Sequence, residues 1–181
     1  MWYNEVVVKE FLDRTVELSE LEAAWAEARR GRPQLAMFWG RRRVGKTYLL
    51  SHFARRHRAV FFGATQQSEA VELRRLGEAV RRDLGDAVAD LTGGSFASWE
   101  AALKFFVTLA AKQPLAVVID EVPYLLRSTP GFASIVQVVW DHLGPGSHML
   151  LVLTGSAIGV VEELIGVGAL RGRPTLVRRL A

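Results

Sequence analysis

The stretch GRRRVGKT, residues 40–47, decides the reading of this chain. An apolar run from Leu35 to Trp39 precedes it, and a helical segment reaching about His57 follows. The pattern G-x-x-x-x-G-K-[ST] between a strand and a helix is that of a phosphate-cradling loop. Gly40 and Gly45 let backbone N–H groups turn toward a phosphate with no Cβ in the way. The helix that follows points its positive dipole end at the same place. Lys46 can reach terminal phosphate oxygens, and the Thr47 hydroxyl can bind Mg²⁺. Arg41, Arg42, Arg43, Val44 and Tyr48 complete the candidate phosphate-binding segment.

Two further strand ends carry polar groups. Leu115 to Ile119 is followed by Asp120 and Glu121. Alone, an apolar run ending in two acids is equally a solvated strand end. Downstream of a phosphate loop, Asp120 is a candidate Mg²⁺ ligand at the edge where α/β sheets bind ligands. Glu121 is then the candidate general base that activates water. Met149 to Leu153 runs into Thr154, Gly155 and Ser156. Ser156 either contacts a terminal phosphate or orients water, or it caps the next helix. His52, His57, His142 and His148 have no metal-ligand spacing.

Strands and helices alternate along the chain. Helices are expected over Thr15 to Arg30, Glu69 to Leu84, Trp99 to Ala111 and Ala157 to Leu164. Asp13 or Thr15 is the candidate cap of the first, and Ser98 of the third. Another helix is expected to start at Thr129-Pro130, with the hydroxyl as cap and proline in the first turn. It should bury Phe132, Ile135, Val136, Val139 and Leu143. Gly85 to Ser98 reads as a loop. Ala59 to Phe62 and Thr175 to Leu180 complete five strand-like runs. Helical crossovers between them require a parallel sheet covered on both faces, an α/β three-layer sandwich.

Composition narrows the function classes. The chain has 181 residues, half of them hydrophobic, and no Cys, which excludes disulfides and thiolate chemistry. No apolar run approaches membrane-spanning length. No basic-then-apolar leader stands at the N-terminus, so a cytoplasmic protein is expected. The net charge is +4, with 23 basic residues against 19 acidic, and the basic residues are mostly Arg. Clusters at 29–32, 41–43, 55–58 and 178–179 fit either solvated helix faces or a nucleic-acid footprint.

As an ordered set, GRRRVGKT, FASWEAAL (96–103), VVIDEVPYL (117–125), VVWDHL (138–143), LTGS (153–156) and RGR (171–173) resemble the archaeal-type ATPases of the AAA+/STAND assemblage of P-loop NTPases. FLDRTVELSELEAAW (11–25) is similar to that family's N-terminal box. The resemblance spans about residues 11 to 180. It implies a five-stranded parallel sheet with a further strand between the phosphate-loop strand and the Asp120-Glu121 strand. It also implies ATP, Mg²⁺ and slow hydrolysis coupled to conformational change or assembly. The segment from Phe11 to Arg14 would lie near adenine. Arg173 would contact phosphate within the subunit or across an interface. Arg171 stands where the family commonly has an aromatic residue. The whole of 1–181 reads as one ATPase core, with the family's C-terminal lid and winged-helix region absent. Arg41 to Arg43 match the family's own loop and so say little about nucleic acid.

Two functions follow. The first is an ATP-hydrolysing switch or motor module that self-associates. The alternative is a nucleotide-gated binding module with negligible hydrolysis, which recruits a protein or DNA. Glu121 favours the first and the missing lid the second. A small-molecule kinase is disfavoured, because the acid pair points to water activation and no acceptor lid is evident.

Overall fold

The structure, a computed structural model, describes residues 14–166 and 168–181. Five parallel strands form its centre: β1 (Gln34–Gly40), β2 (Ala59–Gly63), β3 (Leu115–Asp120), β4 (Met149–Gly155) and β5 (Leu176–Leu180). Their order is β2-β3-β4-β1-β5, so β4 separates β1 from β3 as the family resemblance implies. The central strands β3 and β4 are buried at every residue, which is why they read as unbroken apolar runs. Along β5 exposure alternates, as befits an edge.

Alternation along each strand sends side chains to two separate cores. One face collects Ala36, Phe38, Val118 and Val152. It is covered by α1 (Thr15–Arg29) through Leu21, Trp25 and Ala28, and by α2 (Lys46–Ala54) through Leu49, Leu50 and Phe53. The opposite face carries Met37, Val60, Val117 and Leu151. It is covered by α3 (Glu69–Leu84), the short α4 (Asp86–Ala89), α5 (Trp99–Lys112), α6 (Val122–Ser128), α7 (Phe132–Asp141) and α8 (Ile158–Gly166). Trp99 is fully buried there, edge-on to Phe132 at 5.2 Å between ring centroids. Among the described residues, no helix is long and apolar enough to cross a membrane.

The structure revises several sequence expectations. The predicted loop 85–98 contains α4 and a 3-10 turn, Asp90–Thr92. Helix α7 begins at Phe132 with Gly131 at its cap, not at Thr129-Pro130. Thr129 instead ends α6, a helix that the sequence reading did not identify. Ile135 and Leu143 are only partly buried against the core. Arg14 occupies the cap position of α1 without a side-chain cap bond, Thr15 lies inside the helix, and Asp13 lies outside the described residues. The Ser98 cap is present: its Oγ accepts from the Ala101 N–H at 3.1 Å.

Candidate functional site

The site begins where β1 ends. Gly40 has φ 155°, and a Cβ there would meet the Leu180 carbonyl oxygen at 2.1 Å. Only glycine lets β5 pass this close to the start of the loop. Arg43 (φ 68°) and Gly45 (φ 87°) are left-handed, and Gly45 stands at the cap of α2. Such alternation turns successive N–H groups inward to make an anion-binding concavity.

Lys46 follows at the first residue of α2 and is only 4% exposed. Its Nζ donates to the carbonyls of Gly40 (2.8 Å) and Arg41 (2.9 Å), so the lysine arches back over the loop. Two of its three ammonium N–H groups are thereby occupied, leaving one for a ligand. Burial pushes its pKa down, the charges of Glu121 and Asp120 pull it back up, and Arg42 opposes them.

Thr47 links the loop to β3: its Oγ1 donates to Asp120 Oδ2 at 2.6 Å. Asp120 is also 4% exposed, and burial raises its pKa above the ordinary 3.8. The Thr47 bond lowers it, the Glu121 charge raises it, and the Glu121 N–H and Lys46 lower it. A nearly dry carboxylate beside a hydroxyl offers two hard oxygen donors, which suits Mg²⁺. Among the described residues no group of three or more His, Asp or Glu side chains could hold a metal. The fit is therefore to an ion that keeps waters and shares phosphate oxygens, as Mg²⁺ does.

Glu121 is left-handed at φ 57° and caps α6. Its Oε2 accepts from the Ser156 hydroxyl (2.9 Å) and the Ser156 N–H (3.2 Å). Gly155 makes that approach feasible, because a Cβ there would meet Pro123 Cδ at 2.7 Å. The sequence reading placed Ser156 on phosphate, water or a helix cap; here its hydroxyl is bonded to Glu121. Arg42 donates to the Tyr124 hydroxyl at 2.7 Å. Arg42, Arg43, Lys46, Thr47, Tyr48 and Glu121 line a cavity of about 260 Å³. Arg41 and Val44 line a second, of about 190 Å³, with Leu180.

Arg14 reaches the same region: it donates to the carbonyls of Val44 (3.1 Å) and Ala181 (2.9 Å). Phe11 lies outside the described residues. Arg173 is not brought to the site. Thr175 donates to the Leu35 carbonyl, so Arg173 sits by the start of β1, about 17 Å along the strand from the loop. Its Nε and Nη2 donate to Asp141, at 2.8 and 2.7 Å, and its Nη1 donates to the carbonyls of Ala169 and Arg171. This register sets Arg173 toward the end of the sheet opposite the loop. Contact across an interface would require breaking the Asp141 pair.

The sequence reading missed one buried group beside the site. Glu72 of α3 is fully buried and accepts from Thr65 N–H (2.9 Å), Thr65 Oγ1 (2.6 Å) and Arg75 (2.7 Å). Arg75 also donates to the Gly63 carbonyl at 3.1 Å. Between these anchors, Ala64 N–H holds the Asp120 carbonyl at 2.9 Å. In sequence, Glu72 and Arg75 look like an ordinary surface i,i+3 pair.

Known proteins share this fold. At the level of fold, the chain is similar to the Walker-type ATPase PABY2304 of Pyrococcus abyssi (TM-score 0.65, 18% identity, covering 93% of this chain and 53% of that one). It is likewise similar to the Aeropyrum pernix ORC1 protein, solved in complex with DNA (0.65, 19%, 93% and 45%). Cdc6p from Pyrobaculum aerophilum is a third (0.60, 16%, 93% and 45%). An uncharacterized Methanocaldococcus jannaschii protein, MJECL04, is 25% identical over 155 residues, which are 86% of this chain and 31% of that protein. The chain thus spans about a third of this relative and about half of each structure. The profile of the ATPase domain found predominantly in Archaea matches residues 11–178, and the chain belongs to that family.

Proposed function

We propose that the chain binds ATP with Mg²⁺ at residues 40–48 and hydrolyses it, as an AAA+-like module that couples nucleotide state to conformational change or self-association. One observation carries this reading: Lys46, Thr47, Asp120 and Glu121 converge at the C-terminal ends of β1 and β3 around one cleft. The loop N–H groups and Lys46 receive the phosphates. Thr47 and Asp120 would hold Mg²⁺, which when bound neutralises charge on the phosphate oxygens. Glu121 takes a proton from the attacking water. Arg14 fixes the outer wall of the loop through the Val44 carbonyl, which supports its assignment beside the nucleotide.

Calorimetry with ATP and a steady-state phosphate-release assay test the two halves of this reading. Binding that Lys46→Ala abolishes, with turnover that Glu121→Gln abolishes, supports both. The alternative, a nucleotide-gated binding module, is favoured by the two bonds from Ser156 that occupy Glu121 Oε2. ATP binding without phosphate release in the wild type would select it.

A further inference from the structure

The end of the sheet opposite the phosphate loop carries an unbalanced positive charge. Arg29 ends α1, and its carbonyl faces His148 Nδ1 (3.1 Å) just before β4. Arg55, Arg56 and Arg58 form the turn between α2 and β2, and the Arg58 carbonyl accepts from Ala116 at the start of β3. Lys112 ends α5, three residues before β3. Among the described residues none of these five has an acidic partner. The acids nearby are already engaged. Glu27 faces Arg30 and Arg32, Glu22 faces His57, Asp83 faces Arg82, Asp86 faces Arg81, and Asp141 faces Arg173. At His52 of α2, burial, then Arg56 and Arg55, push the pKa down, and Glu22 opposes them.

A cleft of about 410 Å³ opens beside this turn, lined in part by Arg55, His57, Arg82 and Asp83. Its wall is the outer edge of β2, and that edge is closed to strand pairing. Asp83 accepts from the Phe61 N–H at 2.8 Å, and Arg82 donates to the Phe61 carbonyl at 2.6 Å. Arg82 is thereby fixed, with its Nη1 directed to no acid among the described residues. One basic residue in a last turn is the ordinary complement of a helix dipole. Three arginines in four positions after a nine-residue helix exceed that need.

We infer that this end of the sheet is a nucleic-acid-binding surface, on which Arg29, Arg55, Arg56, Arg58 and Lys112 contact the phosphodiester backbone. The guanidinium fork suits phosphate oxygens, and an unpaired basic face is the electrostatic footprint of sequence-independent binding. A membrane surface fits less well, because interfacial binding needs apolar side chains to insert. Val16, Tyr48, Leu91, Val138 and Val177 are the large apolar side chains exposed among the described residues, and none lies on the turn between α2 and β2. The inference is independent of ATP binding.

The test is fluorescence anisotropy of a labelled random-sequence oligonucleotide, single-stranded and duplex, titrated with the full chain at several salt concentrations. Expected is a dissociation constant of about 10⁻⁴ to 10⁻⁶ M at physiological salt, tightening steeply as salt falls. The triple charge reversal Arg55→Glu, Arg56→Glu, Arg58→Glu should weaken binding at least about 10-fold and flatten the salt slope by about 2 to 3. The matching triple Arg→Lys should retain both binding and slope, which separates charge from folding. Lys46→Ala should bind like the wild type. The inference is overturned by no binding at low salt, or by a folded charge-reversal variant that binds normally. It is equally overturned if Arg41→Glu with Arg43→Glu abolishes binding instead. Capture by phosphatidylserine vesicles without oligonucleotide binding would overturn it in favour of a membrane.

Discussion

The two ends of the sheet treat charge in opposite ways. At the C-terminal ends of the strands, Lys46 and Asp120 are each only 4% exposed. Both non-glycine residues with positive φ among those described, Arg43 and Glu121, lie there as well. At the other end the charges are solvated: Arg173 and Asp141 pair at the surface, and Arg55 and Arg56 stand in water. Desolvating a charge and holding a side chain in the left-handed region both cost stability. A fold retains such costs where chemistry depends on them. The difference teaches that burial and backbone strain, not the number of charged residues, mark the candidate nucleotide site.

The sharpest way to break the comparison is to remove the buried charges. Glu121→Gln should lower ATP turnover by about 10² to 10⁴, with ATP affinity unchanged or tighter, because one negative charge near the phosphates is gone. Phosphate release measured beside calorimetry checks this, and equal turnover would place the base elsewhere. Lys46→Ala should weaken ATP binding by about 10²-fold or more, since a charge-assisted bond in a desolvated site is lost. Arg41→Ala, at an exposed position of the same loop, should change affinity by far less.

Asp120 sharpens the contrast through pH. Its folded pKa is raised, so the native state holds this proton more tightly than the unfolded chain. Between 3.8 and the folded value, its contribution to stability therefore falls as pH rises. Mg²⁺ must displace the same proton. Stabilisation by Mg²⁺, read as a shift in melting temperature with nucleotide present, should thus fade on acidification at a higher pH than an ordinary aspartate would give. Asp120→Asn should remove the Mg²⁺ effect at every pH. The smallest effect belongs to the solvated end. Arg173→Ala should cost about 1 kcal/mol or less and leave turnover unchanged. A large loss of turnover that grows with protein concentration would restore a role for Arg173 across an interface.

Much of this was legible in the sequence, and the exceptions have physical causes. The span Glu69–Leu84 is recovered to the residue, because its apolar stripe repeats at helical period over four turns. Four residues, Asp86–Ala89, are too few to show any period. Thr129-Pro130 has the chemistry of a helix start, yet α7 starts at Phe132, which with Val136 and Val139 faces the core. At the site, the loop and the acid pair were readable because each follows an apolar strand. Glu72 was not, since burial comes from the partner surface and leaves no trace in an i,i+3 spacing. The position of Arg173 was not legible, because a motif carries no register, and the pairing of Thr175 with Leu35 sets it at the far end.

The neighbours of β1 have a consequence for synthesis. Both of its hydrogen-bonding partners, β4 and β5, lie far downstream of it in sequence. Until residue 149 has emerged from the ribosome, the strand QLAMFWG has neither edge paired, and until Leu180 arrives the Gly40 turn lacks its neighbour. A nascent chain therefore carries an apolar, unpaired strand while residues 41–148 are translated, which makes that stretch of synthesis prone to aggregation if elongation stalls. The phosphate loop is encoded well before the strands that flank it.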